Sequence, residues 1–448
     1  MQFHLLNPII LFNCTGKTFH VPFALFLLCQ TGTVKYPMDM NVRDERNAEN
    51  AKKHTEKASF LHQVHKGVKG PSPLINLPYF DVIWGFTPDY MHCVLLGVSR
   101  HFTELWLSAV NQPYYIGSPQ VLSIIDERLC ATKPHLCVSR LPRSLSVRMY
   151  WKASEWQQWL LYFSLPCLEG LLPAQFFKHF SLLVQGIALL LQGTVSKDNI
   201  TTSTNCLVRF VVDVQFLYGE NHMTNNVHQL LHIPKSVVLQ GPLWAHSCFS
   251  FESHIGHLKE LVMSAKGVPI QIVESNMMAS NYKRLSAQAS PHTLQLPSHY
   301  SNDAVLVSKP RSVSEPLLSF IRKHLCNIIC GPVVEHDRVI VAGNMFHSEQ
   351  YSRPNKTDST AFVTGQGKCL KIKHIVSFND VSGCVKIFIA SRRFFSECAY
   401  SSNHVMESRR AEQEILFELS ADVSPCFYME CGGKIFFVRL AQKTLLAS

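Results

Sequence analysis

The first 38 residues of the chain contain neither Asp nor Glu. A metal site that takes a carboxylate from an early strand has none to take there. No C-x-x-C pair occurs anywhere, and the 15 cysteines are odd in number and irregularly spaced. That pattern argues against a secreted disulfide framework and fits reduced thiols in the cytosol or nucleus. No apolar run reaches the ~20 residues a bilayer requires: the stretch from Leu182 to Leu191 is interrupted by Gln185 and Gly186. The apolar segment Val21–Cys29 has no basic leader and no small-x-small cleavage site, so no membrane span or signal peptide is expected. Also missing are a G-x-x-x-x-G-K-[ST] phosphate loop and a G-x-S-x-G elbow, so nothing singles out nucleotide hydrolysis or serine-nucleophile chemistry.

What is present is a long, mixed chain. Its 448 residues, 46% hydrophobic and 17% charged, suffice for two or three folded domains. Forty-two basic against 32 acidic residues leave a formal charge of +10, which favours a polyanionic partner such as nucleic acid through its phosphates.

Along the chain, residues 39–70 are polar and charge-rich and read as a solvated helix or linker, while Leu74 to Trp84 reads as a buried extended segment broken by Pro78. Met91, Leu95, Val98, Phe102 and Trp106 then recur at helical spacing and predict a core-facing helix that starts at Asp89. Helical patterns follow over Glu155–Phe163, Ala174–Gln192, Cys206–Tyr218 and Asn225–Leu239. A shorter stripe of Phe251, Ile255, Leu258 and Val262 predicts a second core helix with Glu252 on another face. Residues 275–310 look like a linker. Beyond Val333, β-prone runs at 339–341, 361–363, 371–376, 385–389 and 434–438 predict a small β-barrel-like domain.

Asp89 and Glu252 each stand where a turn-like run passes into a helix, which suits a carboxylate offered to a divalent cation. Two-metal phosphodiester chemistry uses several carboxylates to hold Mg²⁺ or Mn²⁺ ~4 Å apart, and Asp89 and Glu252 are the two candidate metal ligands. The competing reading makes Asp89 a helix N-cap and Glu252 a first-turn glutamate. His92, at i+3 from Asp89, can support a carboxylate or a phosphate, or be structural. His228 and His232 have the i, i+4 spacing of zinc ligands, but Gln229 stands where a metalloprotease helix carries Glu. Trp151, Trp156, Trp159 and Tyr150 can form a base-stacking face or a packed core.

Four blocks occur in a fixed order: Pro71-Ser72-Pro73-Leu74; Phe86-Thr87-Pro88-Asp89-Tyr90-Met91-His92 through Val98; Asn226-Val227-His228 through His232; and Gly241-Pro242-Leu243-Trp244 through Phe251-Glu252. Together, over residues 30–285, they resemble transposases of the CACTA (En/Spm-like) type and the transposase-derived domains related to them. The resemblance implies an α/β ribonuclease-H-like core of the Asp-Asp-Glu class interrupted by a large helical insertion. Beside it stands the small C-terminal β-rich domain.

In this division residues 1–70 are a truncated N-terminal part with linker, 71–110 and 240–285 the core, 111–239 the insertion, 286–332 a linker and 333–448 the accessory domain. The catalytic residues carried over are Asp89, His92 and Glu252, with Mg²⁺ or Mn²⁺ as cofactor if the site is active. The first Asp and its C-x-x-C pair have no counterpart: Leu28-Cys29-Gln30-Thr31-Gly32-Thr33-Val34 matches only the tail of that motif, and Asp39 and Asp44 come after it. The expectation is a nuclear, DNA-binding protein with a degenerate site. The alternatives are a host-adopted DNA-binding or protein-interaction module without metal chemistry, and an active strand-transferase whose N-terminus differs from this one. A homo-oligomer is compatible with each; a membrane partner is not expected.

Overall fold

A computed structural model of the chain describes residues 27–28, 34–38, 47–66, 68–138, 140–289, 304–325, 328–352, 356–400, 404–420 and 422–440. The expectations placed on Cys29, Asp39 and Asp44 lie outside the described residues. The chain forms two compact units, one of residues 1–123 and 150–247, the other of residues 124–149 and 248–448. Of the residues expected to make one core, 71–110 and 240–247 thus lie in the first unit and 248–285 in the second.

Among the described residues the first unit is helical apart from the two-residue strands β1 (Leu27–Leu28) and β2 (Val34–Lys35), which pair antiparallel. Helix α1 (Ala48–Leu61) is capped by the Asn47 side chain, which accepts the Asn50 N–H at 2.8 Å. A π-wound helix, Tyr90–Ser99, continues into α2 (Arg100–Ser108), and α3 (Pro119–Ala131) carries the chain into the second unit. After its return come α4 (Ala153–Gln158), a π-turn at Trp159–Phe163, α5 (Ser164–Leu168), α6 (Ala174–Leu190), α7 (Lys197–Tyr218), α8 (Asn225–Gln229) and α9 (Ile233–Gln240). The predicted stripe of Met91, Leu95, Val98, Phe102 and Trp106 is buried throughout.

Helices α6 and α7 pack closely because residue 186 is glycine: a Cβ there would sit 3.0 Å from Leu207, and Ser203 donates to the Gly186 carbonyl at 2.8 Å. Around them the aromatic rings interlock, with Trp106 on Phe180 at 4.8 Å and His179 stacked on Phe210 at 4.2 Å. Trp151, Trp156 and Trp159 are buried in this unit, so they are core and not a stacking face.

The expected buried extended segment, Leu74 to Trp84, is neither buried nor extended. Pro73 opens a 3₁₀ turn (Pro73–Asn76) under the Ser72 cap, a second turn follows at Pro78, and among the described side chains of this stretch only Ile83 is buried. Local turn chemistry overrode the apolar composition.

In the second unit, α10 (Phe249–Glu260) and α11 (Val268–Ala289) contain no buried residue among those whose burial is described. The stripe of Phe251, Ile255 and Leu258 predicted a core helix; instead Phe251 is exposed and the others are half-buried. Residues 275–289, read as linker, are helical. The remainder is β-rich: β3 (Ala304–Leu306), β4 (Arg311–Ser312), α12 (Glu315–Leu325), β5 (Ile329–His336), β6 (Arg338–Val341), β7 (Asn344–His347), β8 (Ala361–Thr364), β9 (Cys369–Asp380), β10 (Val385–Cys398), β11 (Val405–Glu418), β12 (Val423–Cys431) and β13 (Lys434–Arg439).

Strands β8, β9, β10, β11, β13 and β12 pair in that order, all antiparallel, and β12 returns to β8, closing a six-stranded circuit. Closure leaves none of these six as a free edge. Strand β9 also pairs with β5, and β5 with β4, while β3, β6 and β7 form a separate sheet. Alternation along β8 sends Ala361 and Val363 to one core and Phe362 to another. Residues 124–149 lie on this unit: the Asp358 N–H donates to the Pro134 carbonyl at 2.9 Å, and His135 meets the ring of Phe346 at 5.7 Å.

Candidate functional site

Asp89 ends the loop in extended backbone and is the N-cap of the helix that begins at Tyr90. Its Oδ2 accepts the His92 backbone N–H at 2.8 Å and lies 2.7 Å from His92 Nδ1. Asp89 is 7% exposed and the His92 side chain 42%, so the carboxylate sits inside and the imidazole reaches outward. The i+3 relation read from the sequence is therefore a direct contact. The capping reading of Asp89 is realised by the same oxygen.

The helix after Asp89 is π-wound, a form that concentrates at functional positions. Gly97 faces α8 so closely that a Cβ would stand 2.4 Å from Asn226 Nδ2, and the Cys93 thiol donates to the Asn226 carbonyl at 3.4 Å. Two blocks far apart in sequence, Phe86–Val98 and Asn226–His232, thus meet at Gly97 and Asn226. Burial and the nearby Asp89 charge push the Cys93 thiol well up, and burial does the same to the Tyr90 phenol. Neither group is a nucleophile near neutral pH.

His246, which the sequence reading did not select, is electrostatically coupled to Asp89. Burial lowers its pKa, against the opposing pull of the Asp89 charge. Its only sequence signal is its place two residues after the Gly241–Trp244 block.

His228 and His232 are buried with their Nε2 atoms 3.3 Å apart. Tyr36 stacks on His228 at 5.2 Å, Trp84 meets His232 edge-on at 5.8 Å, and the Lys235 ammonium lies 4.2 Å above the Trp84 ring. Two imidazoles at this spacing can bind one tetrahedral ion through ~2.0–2.1 Å bonds, or share one proton in a hydrogen bond.

Glu252 belongs to the second unit, where it lies exposed in the first turn of α10 and donates its N–H to the Cys248 carbonyl at 2.9 Å. Among the described residues no three carboxylates come within metal-binding distance of one another. No helix among them is long and apolar enough to cross a membrane. Comparison of the chain with family models, characterised proteins and solved structures returns no match.

Proposed function

We propose that the chain is a transposase-derived protein of the Asp-Asp-Glu class that binds double-stranded DNA and does not cut it. The observation that carries this reading is the buried Asp89 carboxylate in contact with His92, the Asp-x-x-His arrangement that the resemblance implies. It is supported by the meeting of two motif blocks at Gly97 and Asn226 and by the formal charge of +10.

Mg²⁺ or Mn²⁺, when bound in such a site, activates an attacking oxygen and stabilises the leaving one. The resemblance assigns that role to Asp89 and Glu252, which belong to different units. The fit is poor on the donor chemistry: a hard cation wants several carboxylate oxygens, whereas Asp89 Oδ2 already serves the His92 amide and ring and no carboxylate trio forms among the described residues. The N-cap geometry of Asp89 also favours the second reading, an interaction module in which this carboxylate only holds the helix end. The nuclear location rests on the resemblance alone.

Incubation of labelled duplex DNA with the full chain and Mn²⁺ or Mg²⁺ tests the reading. The expected result is retention of duplex, weakening steeply with salt, and no nicks. Nicking that is lost in both Asp89→Ala and Glu252→Ala would instead make the chain a working strand-transferase.

A further inference from the structure

The loop that delivers Asp89 contains a residue in an unusual backbone conformation whose side chain is not buried by the fold. Leu77–Phe80 is a tight turn, closed by the Phe80 N–H to the Leu77 carbonyl at 3.4 Å, with Pro78 in its second position and Tyr79 in its third at φ +64°. A turn that demands positive φ in its third position is normally given Gly or Asn. Here it holds a tyrosine that is fully exposed to solvent. The strained backbone is therefore not compensated by burial of the ring, and an outlier of this kind points to a role outside the fold.

The rest of the loop is fixed, so the ring is presented from a steady base. Phe80 packs edge-on against Phe86 at 5.2 Å, and the Asp81 carboxylate accepts the Ile83 and Trp84 N–H groups at 2.8 and 3.0 Å. From α9, Gln240 donates to the Trp84 carbonyl at 3.3 Å and accepts from the Thr87 hydroxyl at 3.0 Å. The Lys235 ammonium lies over the Trp84 ring of the same loop. An exposed aromatic with a cation beside its loop is the combination that stacks a base and meets its phosphate. Lysine is, by contrast, depleted from protein–protein interface cores.

We infer that Tyr79 is a stacking platform for an unpaired nucleotide of DNA held along the loop Leu77–Phe86, leading to Asp89. The inference rests on the DNA-binding reading above and adds to it a preference for DNA that carries an unpaired base.

The test uses the full chain and two labelled DNAs, a paired duplex and the same duplex with one unpaired 2-aminopurine. Affinity is read by anisotropy and stacking by quenching of the 2-aminopurine. Tyr79 is exposed, so Tyr79→Ala is expected to fold, which circular dichroism checks. The expected result is tighter binding of the unpaired substrate with quenching, a loss of that preference by roughly 5- to 100-fold in Tyr79→Ala, and its retention in Tyr79→Phe. Duplex binding that persists while Tyr79→Ala changes neither affinity nor quenching overturns the inference alone and leaves the ring to a protein partner. Failure of the wild-type chain to bind either DNA overturns the DNA-binding reading itself, and this inference with it.

Discussion

Asp89 does two jobs with one oxygen, ending a helix and holding an imidazole. Asp89→Ala removes both and is expected to destabilise the first unit by about 1 kcal/mol for the cap, with more for the lost ring contact. Asp89→Asn, which caps nearly as well, should recover most of the cap contribution. Urea unfolding of the three proteins checks this, and equal stability would show that the cap carries no energy. At Tyr79 the sign reverses: Tyr79→Asn suits φ +64° and is expected to raise stability by roughly 1 kcal/mol. A loss of stability there would mean that the ring is supported within the fold. The contact between Asp89 and His92 was legible because it is local, three residues on one helix turn. Gly97 against Asn226, and His246 beside Asp89, were not, because only the tertiary path of the chain joins them.

Helices show where a periodic pattern suffices and where it does not. In α6 and α7 the apolar period and its burial agree, since two such faces cover each other. In α10 the stripe was read correctly as apolar, but a stripe cannot say what covers it, and in the second unit it is left at the surface. Hydrogen exchange should therefore find α10 and α11 opening far more easily than β9 and β10, whose centres are buried. Equal protection of α11 and β10 would contradict this placement.

Strand β11 was hidden for a different reason. Its charged residues hide a strand that cross-strand pairs support, with Lys434 to Glu407 at 3.1 Å and Lys386 to Glu418 at 2.9 Å, while Lys373 of β9 reaches across β10 to Glu414. The helix contact at Gly97 carries its own expectation. Gly97→Ala should cost about 1–3 kcal/mol through collision with Asn226, and Asn226→Gly in the same chain should restore part of it.

For the whole molecule, burial governs how it responds to acid. His101 and His179 in the first unit and His135 in the second are each held down to about 4 by burial, below the ordinary value near 6.5. Unfolding lets these rings take up protons between the two values, so stability is complete above about pH 6.5 and is lost as pH falls toward 4. Urea midpoints measured from pH 7 downward should fall, with a shallower fall in His179→Gln. A flat profile would mean that these rings are protonated inside the fold.

DNA held without being cut is open to test by a single titration. Labelled duplex is bound by the full chain over a series of salt concentrations in Mn²⁺, and each sample is then run on a denaturing gel. Affinity is expected to fall linearly in log–log form with salt, with intact strands throughout. Affinity indifferent to salt, or nicked strands that vanish with Asp89→Ala, would contradict it.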